Sequence, residues 1–424
     1  MINYNTLGNN LKVDLLKFSK KVSKSFNKPS QKFVFDMLFG IIAAKSCKLT
    51  EIGRSLKEPI AIKKTVERLG RNLSDFSQTE MLMSNYLSAV KPSLGSDTML
   101  LIDQGDVTKS CSPKMEAIGS VKDASTGEFA DGYWTMGAVA LSDKTQQPIP
   151  VYESLYPCQK QGGLGFKAET KKCLQNLREN FDSSIPRVLD RGFDSGEIIT
   201  EFIENDEKFI LRVNQNRVAV HNGKKSKIDD IVRGLVCENE LVFTGKSGKK
   251  AKCKIGITQV VLQNPKNTKL NLIVCKEFGE KPLVLYTNIA ETLESIAVRV
   301  VKAYLMRWRI EEYYAFKKQG LQFEHFRVRG LNAIKNLDLL VTIAIGFIGV
   351  LSEKAESKMV LELVTISKRI QKVSKFMKKS KVIFYAVLEG ITQVFATLRC
   401  GIAHYFAPIV PHNQLSFPGF EKMG

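Results

Sequence analysis

Histidine is scarce in this chain: there are four in 424 residues, and no two of the eight cysteines stand closer than fifteen positions. With no Cys-x2-Cys pair, the composition argues against a zinc finger or a thiolate-ligated metal. Long hydrophobic runs are missing as well. The longest apolar stretch, Leu339–Leu351, has thirteen residues and is interrupted by Thr342, Gly346 and Gly349. A bilayer-spanning helix needs roughly 18, so this segment reads as a buried helix. The opening MINYNTLGNN shows neither the basic nor the apolar region of a signal peptide, and the expected setting is a reducing cytoplasm. Gly162-Gly163-Leu164-Gly165 has no Gly-Lys-Ser/Thr directly after it and reads as an ordinary loop, not a phosphate cradle. No internal repeat or low-complexity segment is present.

Charge of one sign is in surplus. Lysine plus arginine number 63 against 43 aspartate plus glutamate, a formal charge of +20. A chain this basic is shaped for a polyanion. The length predicts two to four domains. Residues 1–96 read as helical and basic, with 16 Lys/Arg against 7 Asp/Glu. An apolar helix over Phe33–Ala44 leads to Thr50 as an N-cap, and a second helix after Pro59 carries Lys63, Lys64, Arg68 and Arg71. Short helices around a tight turn fit helix-turn-helix DNA binding; a helical bundle with a solvated basic face fits too.

From Asp97 the pattern turns to strands. Met99–Ile102 is a buried run closed by Asp103, followed by strand candidates Tyr133–Ser142 and Ile149–Glu153. A helix (Lys167–Phe181), a strand (Pro186–Leu189) closed by Asp190, a helix (Gly196–Glu204) and a strand (Phe209–Val213) predict a mixed α/β core over 97–213. Short alternating runs over 214–282 predict an all-β insertion. Strand Leu283–Thr287 and one long helix from about Glu291 to Gln319 complete the core over 283–330. Residues 331–424 read as helical, with a basic stretch Lys368–Lys381 suited to DNA contact or dimerisation.

Tyr304, Arg307, Glu311 and Lys318 recur at distances of three, four and seven. At roughly 100° per residue they share one helix face, either as a functional row or as a helix tied by i,i+4 ion pairs. Aspartates just past buried strands are usually turn formers. Two of them with a helical glutamate, however, are enough to bind a pair of hard divalent cations through oxygen. Such a pair suits phosphodiester cleavage, and the basic surface suits its substrate.

The run Tyr304-x2-Arg307-x3-Glu311-x6-Lys318 resembles the Y-R-E-K signature of the insertion-sequence-four family of DDE transposases. Asp190-Arg191-Gly192-Phe193-Asp194 and Leu101-Ile102-Asp103-Gln104-Gly105-Asp106 resemble the segments around that family's two aspartates. The resemblance covers roughly residues 97–330. It implies a ribonuclease-H-like α/β core, a mixed sheet with flanking helices, interrupted by the β insertion. It implies that Asp103, Asp190 and Glu311 hold two Mg²⁺ ions, with Mn²⁺ substituting, and that Tyr304, Arg307 and Lys318 contact DNA phosphates. The implied partners are double-stranded element ends with terminal inverted repeats, target DNA and a second copy of the chain. A hairpin intermediate and a bacterial, nucleoid-associated location are also implied.

The chain departs from the family at Leu283, where well-studied members carry a base-stacking tryptophan; Tyr286 is the nearest aromatic on that strand. A lysine that some members carry four residues after the glutamate is Ala315 here, with Lys317 nearby. Asp106, three residues on, competes with Asp103 for the first aspartate's role; Asp103 is preferred because it directly follows the apolar strand. Two other readings stay open. A tyrosine recombinase would use Arg307, His325, Arg327 and a nearby tyrosine, but His325-Phe326-Arg327 is one residue short of its His-x2-Arg spacing. A catalytically inactive, transposase-derived DNA-binding protein would need none of the three carboxylates.

Overall fold

The computed structural model describes residues 2–109, 112, 114–141, 146–244, 250–265, 267–290, 293–370, 383–398 and 401–406. Five helices come first: α1 (Tyr4–Val22), α2 (Lys28–Ala44), α3 (Leu49–Leu56), α4 (Ile62–Asp75) and α5 (Thr79–Val90). The Asn3 and Asn27 side chains accept the Thr6 and Ser30 amides at 3.1 and 2.8 Å, capping α1 and α2. The expected cap at Thr50 is displaced: α3 starts at Leu49 after Lys48, which makes no side-chain cap bond, and Thr50 lies inside the helix.

The middle of the chain builds one sheet. Its elements are β1 (Met99–Thr108), β2 (Gly119–Lys122), β3 (Phe129–Leu141), β4 (Ile149–Tyr156), α6 (Phe166–Asn180), β5 (Arg187–Leu189), α7 (Gly196–Glu204) and β6 (Phe209–Arg212). After these come β7 (Val218–His221), β8 (Lys224–Lys227), α8 (Ile228–Gly234), β9 (Asn239–Thr244), β10 (Lys250–Leu262), β11 (Thr268–Lys276) and β12 (Leu283–Thr287). Hydrogen bonding gives the order β2-β3-β1-β5-β6-β12-β11-β10-β7-β8, with β4 on β3 and β9 on β10. Strands β1, β5 and β6 are mutually parallel, and β3 runs against β1. β1 is longer than its apolar run because β3 pairs with it all the way from Met99↔Leu141 to Thr108↔Gly132.

The segment 214–282 is β-rich but not all-β, because Ile228, Ile231 and Val232 bury one side of α8. Nor does it stand apart from the core: β11 pairs with β12, and β12 with β6, in one continuous ladder.

Helices α9 (Leu293–Leu305) and α10 (Trp308–Ala315), a π-helical turn (Phe316–Gly320), α11 (Leu331–Glu353), α12 (Lys358–Ile370) and α13 (Phe384–Thr397) follow. α11 is long and apolar enough to cross a membrane, yet most of it is buried against α2, α4, α5 and β4. The buried apolar cluster is continuous from Leu7 in α1 to Ile402, so the helical ends and the sheet share one core. Of the basic stretch Lys368–Lys381, residues 371–381 lie outside the described residues.

Candidate active site

The parallel pairing of β1 with β5 aligns Ile102 with Leu189. Asp103 follows Ile102 within β1 and Asp190 follows the last residue of β5, so register places them side by side where the parallel pairing ends. Neighbouring strands are about 4.8 Å apart. Asp190 Oδ1 accepts the Gly192 amide at 2.6 Å and caps the short turn Arg191–Phe193. Asp103 Oδ1 accepts the Gln104 amide at 2.9 Å.

Arg307 brings in the third carboxylate. Its guanidinium donates to Asp103 Oδ2 at 2.8 Å and to Glu311 Oε1 at 2.6 Å. Burial works against its charge, but Asp103, Tyr304 and Glu311 hold it protonated more firmly than usual. Burial also pushes the Asp103 carboxyl up to about 7; Arg307 and the Gln104 amide oppose the shift, while the charges of Asp190 and Glu311 add to it. The phenol of Tyr304 lies among Arg307, Arg212 and Asp190. The structure thus gathers Asp103, Asp190, Tyr304, Arg307 and Glu311.

Among the described residues no set of three His, Cys, Asp or Glu side chains is arranged to hold a metal ion. The reason is visible at Arg307, which lies between Asp103 and Glu311. The donor chemistry still fits a divalent cation, because register sets Asp103 beside Asp190 and Arg307 ties Glu311 to Asp103, so the three supply hard carboxylate oxygens.

The expected single helix is broken. Bonds from Arg307 N to Tyr304 O and from Arg309 N to Met306 O replace the α ladder between α9 and α10, the tighter i→i+3 pattern. Arg307 and Glu311 keep their i,i+4 pairing, but Lys318 lies within the π turn and leaves that row. Its ammonium bonds Asp106 Oδ2 at 2.6 Å and Glu324 Oε1 at 3.1 Å. Asp106 is buried and also accepts the Ala124 amide, so its carboxylate is committed away from Asp190. Asp194 is likewise committed, to Arg217 and the Asn214 amide.

Two expectations are corrected. Tyr286 is fully buried within β12, its hydroxyl without a hydrogen-bond partner among the described residues. It has no face on which a base could stack. Arg68 turns inward, bonding Asp36 at 2.8 Å and Glu58 at 2.9 Å beside Lys32, so it ties α4 to α2 instead of facing DNA. Lys63 and Lys64 on the same helix are exposed.

The sequence reading missed the residues under α10. Lys317, in the π turn, is buried between Glu153 on β4 (2.8 Å) and Asp338 on α11 (2.5 Å). The Tyr313 hydroxyl donates to Glu153 at 3.0 Å, and the Tyr314 hydroxyl donates to the Asp103 carbonyl oxygen at 2.8 Å. Glycines at strand-interior positions 105 and 137 were the available signal.

Burial raises the Glu153 carboxyl to about 7, with Asp338 adding to the shift and Lys317 and Tyr313 opposing it. The folded state therefore holds this proton more tightly than the unfolded chain. The resulting stabilisation is complete below about pH 4.5, falls as pH rises to about 7 and is constant above. Its steepest loss is about 1.4 kcal/mol per pH unit. Asp103, also held up to about 7 by burial, contributes stability that is lost over the same window, so urea unfolding between pH 5 and 7 should show stability falling with pH in the wild type and falling less steeply in Glu153→Gln. Equal slopes would remove Glu153 as a source.

Residues 167–347 match the family described as Transposase DDE domain. No curated protein matches the chain. A solved structure similar to it is the cryo-EM structure of the piggyBac transposase synaptic complex with hairpin DNA. The two share 11% identity over 98% of this chain and 87% of that one, with a TM-score of 0.44. The family match spans Asp190, Tyr304, Arg307, Glu311 and Lys318, and over these residues the chain is similar to DDE transposase domains.

Proposed function

We propose that this chain is a DNA transposase that binds the ends of an insertion element, cleaves them by metal-dependent phosphoryl transfer through a hairpin intermediate, and joins them to target DNA. The observation that carries the reading is the register of β1 and β5, which sets Asp103 beside Asp190, with Glu311 tied to the pair through Arg307. The mixed sheet β4-β3-β1-β5-β6 flanked by helices supports a ribonuclease-H-like core, and the Y-R-E-K spacing supports the insertion-sequence-four family.

In this reading Asp103, Asp190 and Glu311 hold two Mg²⁺ ions, or Mn²⁺ in their place. When bound, these ions supply an activated hydroxyl and neutralise the leaving oxygen. Arg307 balances two of the carboxylates while DNA is absent. Tyr304 and Arg307, and Lys318 from the π turn after α10, present donors to the phosphates of the transposon end. The working form is a homodimer on double-stranded terminal inverted repeats, in a bacterial cytoplasm. The test incubates purified protein with candidate element ends and Mg²⁺ and maps nicks and hairpins on a denaturing gel. Nicking that survives chelation would overturn it in favour of a tyrosine recombinase, and end binding with no nicking would favour an inactive DNA-binding relative.

DNA affinity in this reading is electrostatic and includes the exposed cations of α4. Lys63→Ala and Lys64→Ala should each weaken end binding and reduce the slope of log affinity against log salt by about 0.9, with an unchanged thermal midpoint. Arg68→Ala should instead cost about 2 kcal/mol of stability, since Asp36 and Glu58 lose a charged donor. An unaltered salt slope in the double lysine variant would take α4 out of the DNA interface.

A further inference from the structure

We infer that Tyr314 is a positioning residue, a strut that fixes the helix carrying Glu311 against the strand carrying Asp103. The inference rests on the reading that these two carboxylates act together. Tyr314 lies three residues after Glu311 on α10, and its hydroxyl donates to the main-chain carbonyl of Asp103 itself at 2.8 Å. The bond therefore joins the segments that bear the two acids, without touching either carboxylate.

The sheet is cut to admit this ring. Asp103 and Gly137 are cross-strand partners, as are Gly105 and Thr135. Alternation along each strand puts all four on one face. A Cβ at Gly105 would stand 3.0 Å from the Tyr314 ring, and one at Gly137 would stand 2.5 Å from its hydroxyl oxygen. Glycine in a strand interior weakens the strand, and neither position has the left-handed backbone that would demand it. Tyr314, with Thr135 Oγ1 at 2.8 Å from the first Cβ and Glu153 Oε2 at 2.8 Å from the second, fills the space at both. On the far side of Gly137 the same row continues to its β4 partner, Glu153, which receives Tyr313 and Lys317. Consecutive tyrosines thus seat α10 on β1 and β4 at once.

Groups that orient metal ligands from behind are typically worth 10–100-fold in metal affinity. Tyr314→Phe removes one oxygen and keeps the ring. Titrating Mn²⁺ into the DNA-free full chain by electron paramagnetic resonance should show roughly tenfold or greater weakening in Tyr314→Phe, with element-end affinity unchanged. The Mg²⁺ concentration for half-maximal nicking should rise by the same factor. Amides of 309–315 should exchange with deuterium several-fold faster, independently of any metal. Gly137→Ala, which pushes the ring outward, should reproduce these changes if it folds, but Tyr314→Phe carries the test alone. Wild-type exchange at 309–315 in Tyr314→Phe overturns the strut. So does a lowered melting temperature with wild-type Mn²⁺ affinity, which would make Tyr314 a packing residue only. Mn²⁺ binding by the wild type that Asp103→Asn leaves intact would instead sink the three-carboxylate reading, while the exchange data still decide the strut.

Discussion

Asp103→Asn, Asp190→Asn and Glu311→Gln are each expected to lower the rate of strand nicking by roughly four orders of magnitude or more, and any pair of them to be little worse than one. The two aspartates are register neighbours, and the glutamate is linked to the first by a shared guanidinium, so removing one member leaves the others without a joint task. End binding should persist or tighten, because a negative charge facing a polyanion has gone. Asp106→Asn is the informative control: its carboxylate serves Lys318 and the Ala124 amide, so the variant should lose stability and keep nicking. Single-turnover nicking of a labelled end decides the matter. Wild-type rates in Glu311→Gln would end the assignment, and a dead Asp106→Asn beside an active Asp103→Asn would move the first acid three residues along β1.

Lys317→Met should be the most destabilising single change near the site, by about 3–5 kcal/mol in denaturant unfolding. Two carboxylates on β4 and α11 converge on this one buried ammonium, and without it both must take up protons or repel one another. Replacing the whole cluster, with Glu153→Gln and Asp338→Asn added, should recover much of the loss, since apolar or neutral sets often match buried ion pairs in stability. A loss under about 1 kcal/mol in Lys317→Met would show that the cluster is already neutral in the folded state.

Local chemistry made some of this site legible. An acid closing a buried run marked Asp103 and Asp190, and the spacing of four marked Arg307 with Glu311. Pairing between distant segments was not legible. Nothing in Met99–Ile102 or Pro186–Leu189 states which strand lies beside which, so the adjacency of the aspartates emerges only from the sheet. The tightened turn at Arg307 and the π turn at Phe316–Gly320 leave no mark on hydrophobic periodicity, and Lys318 was therefore given the wrong neighbours. Tyr286 misled because β12 is covered on both faces, with every one of its residues buried. Arg68 misled because its acids lie away from α4, Asp36 on α2 and Glu58 in the loop between α3 and α4.

The insertion enters from β6 and returns into β12, and these two strands pair with each other, Val213 donating to the Val284 carbonyl. Its two ends therefore leave the core side by side, as the ends of an overgrown hairpin loop, and lengthening such a loop costs only slowly rising closure entropy. Excision is another matter. β11 covers the whole outer edge of β12 from Leu283 to Thr287, and without it that strand would offer its apolar rung of unpaired amides and carbonyls to any passing chain. The fold has left this region free to grow and has made its removal an invitation to aggregate.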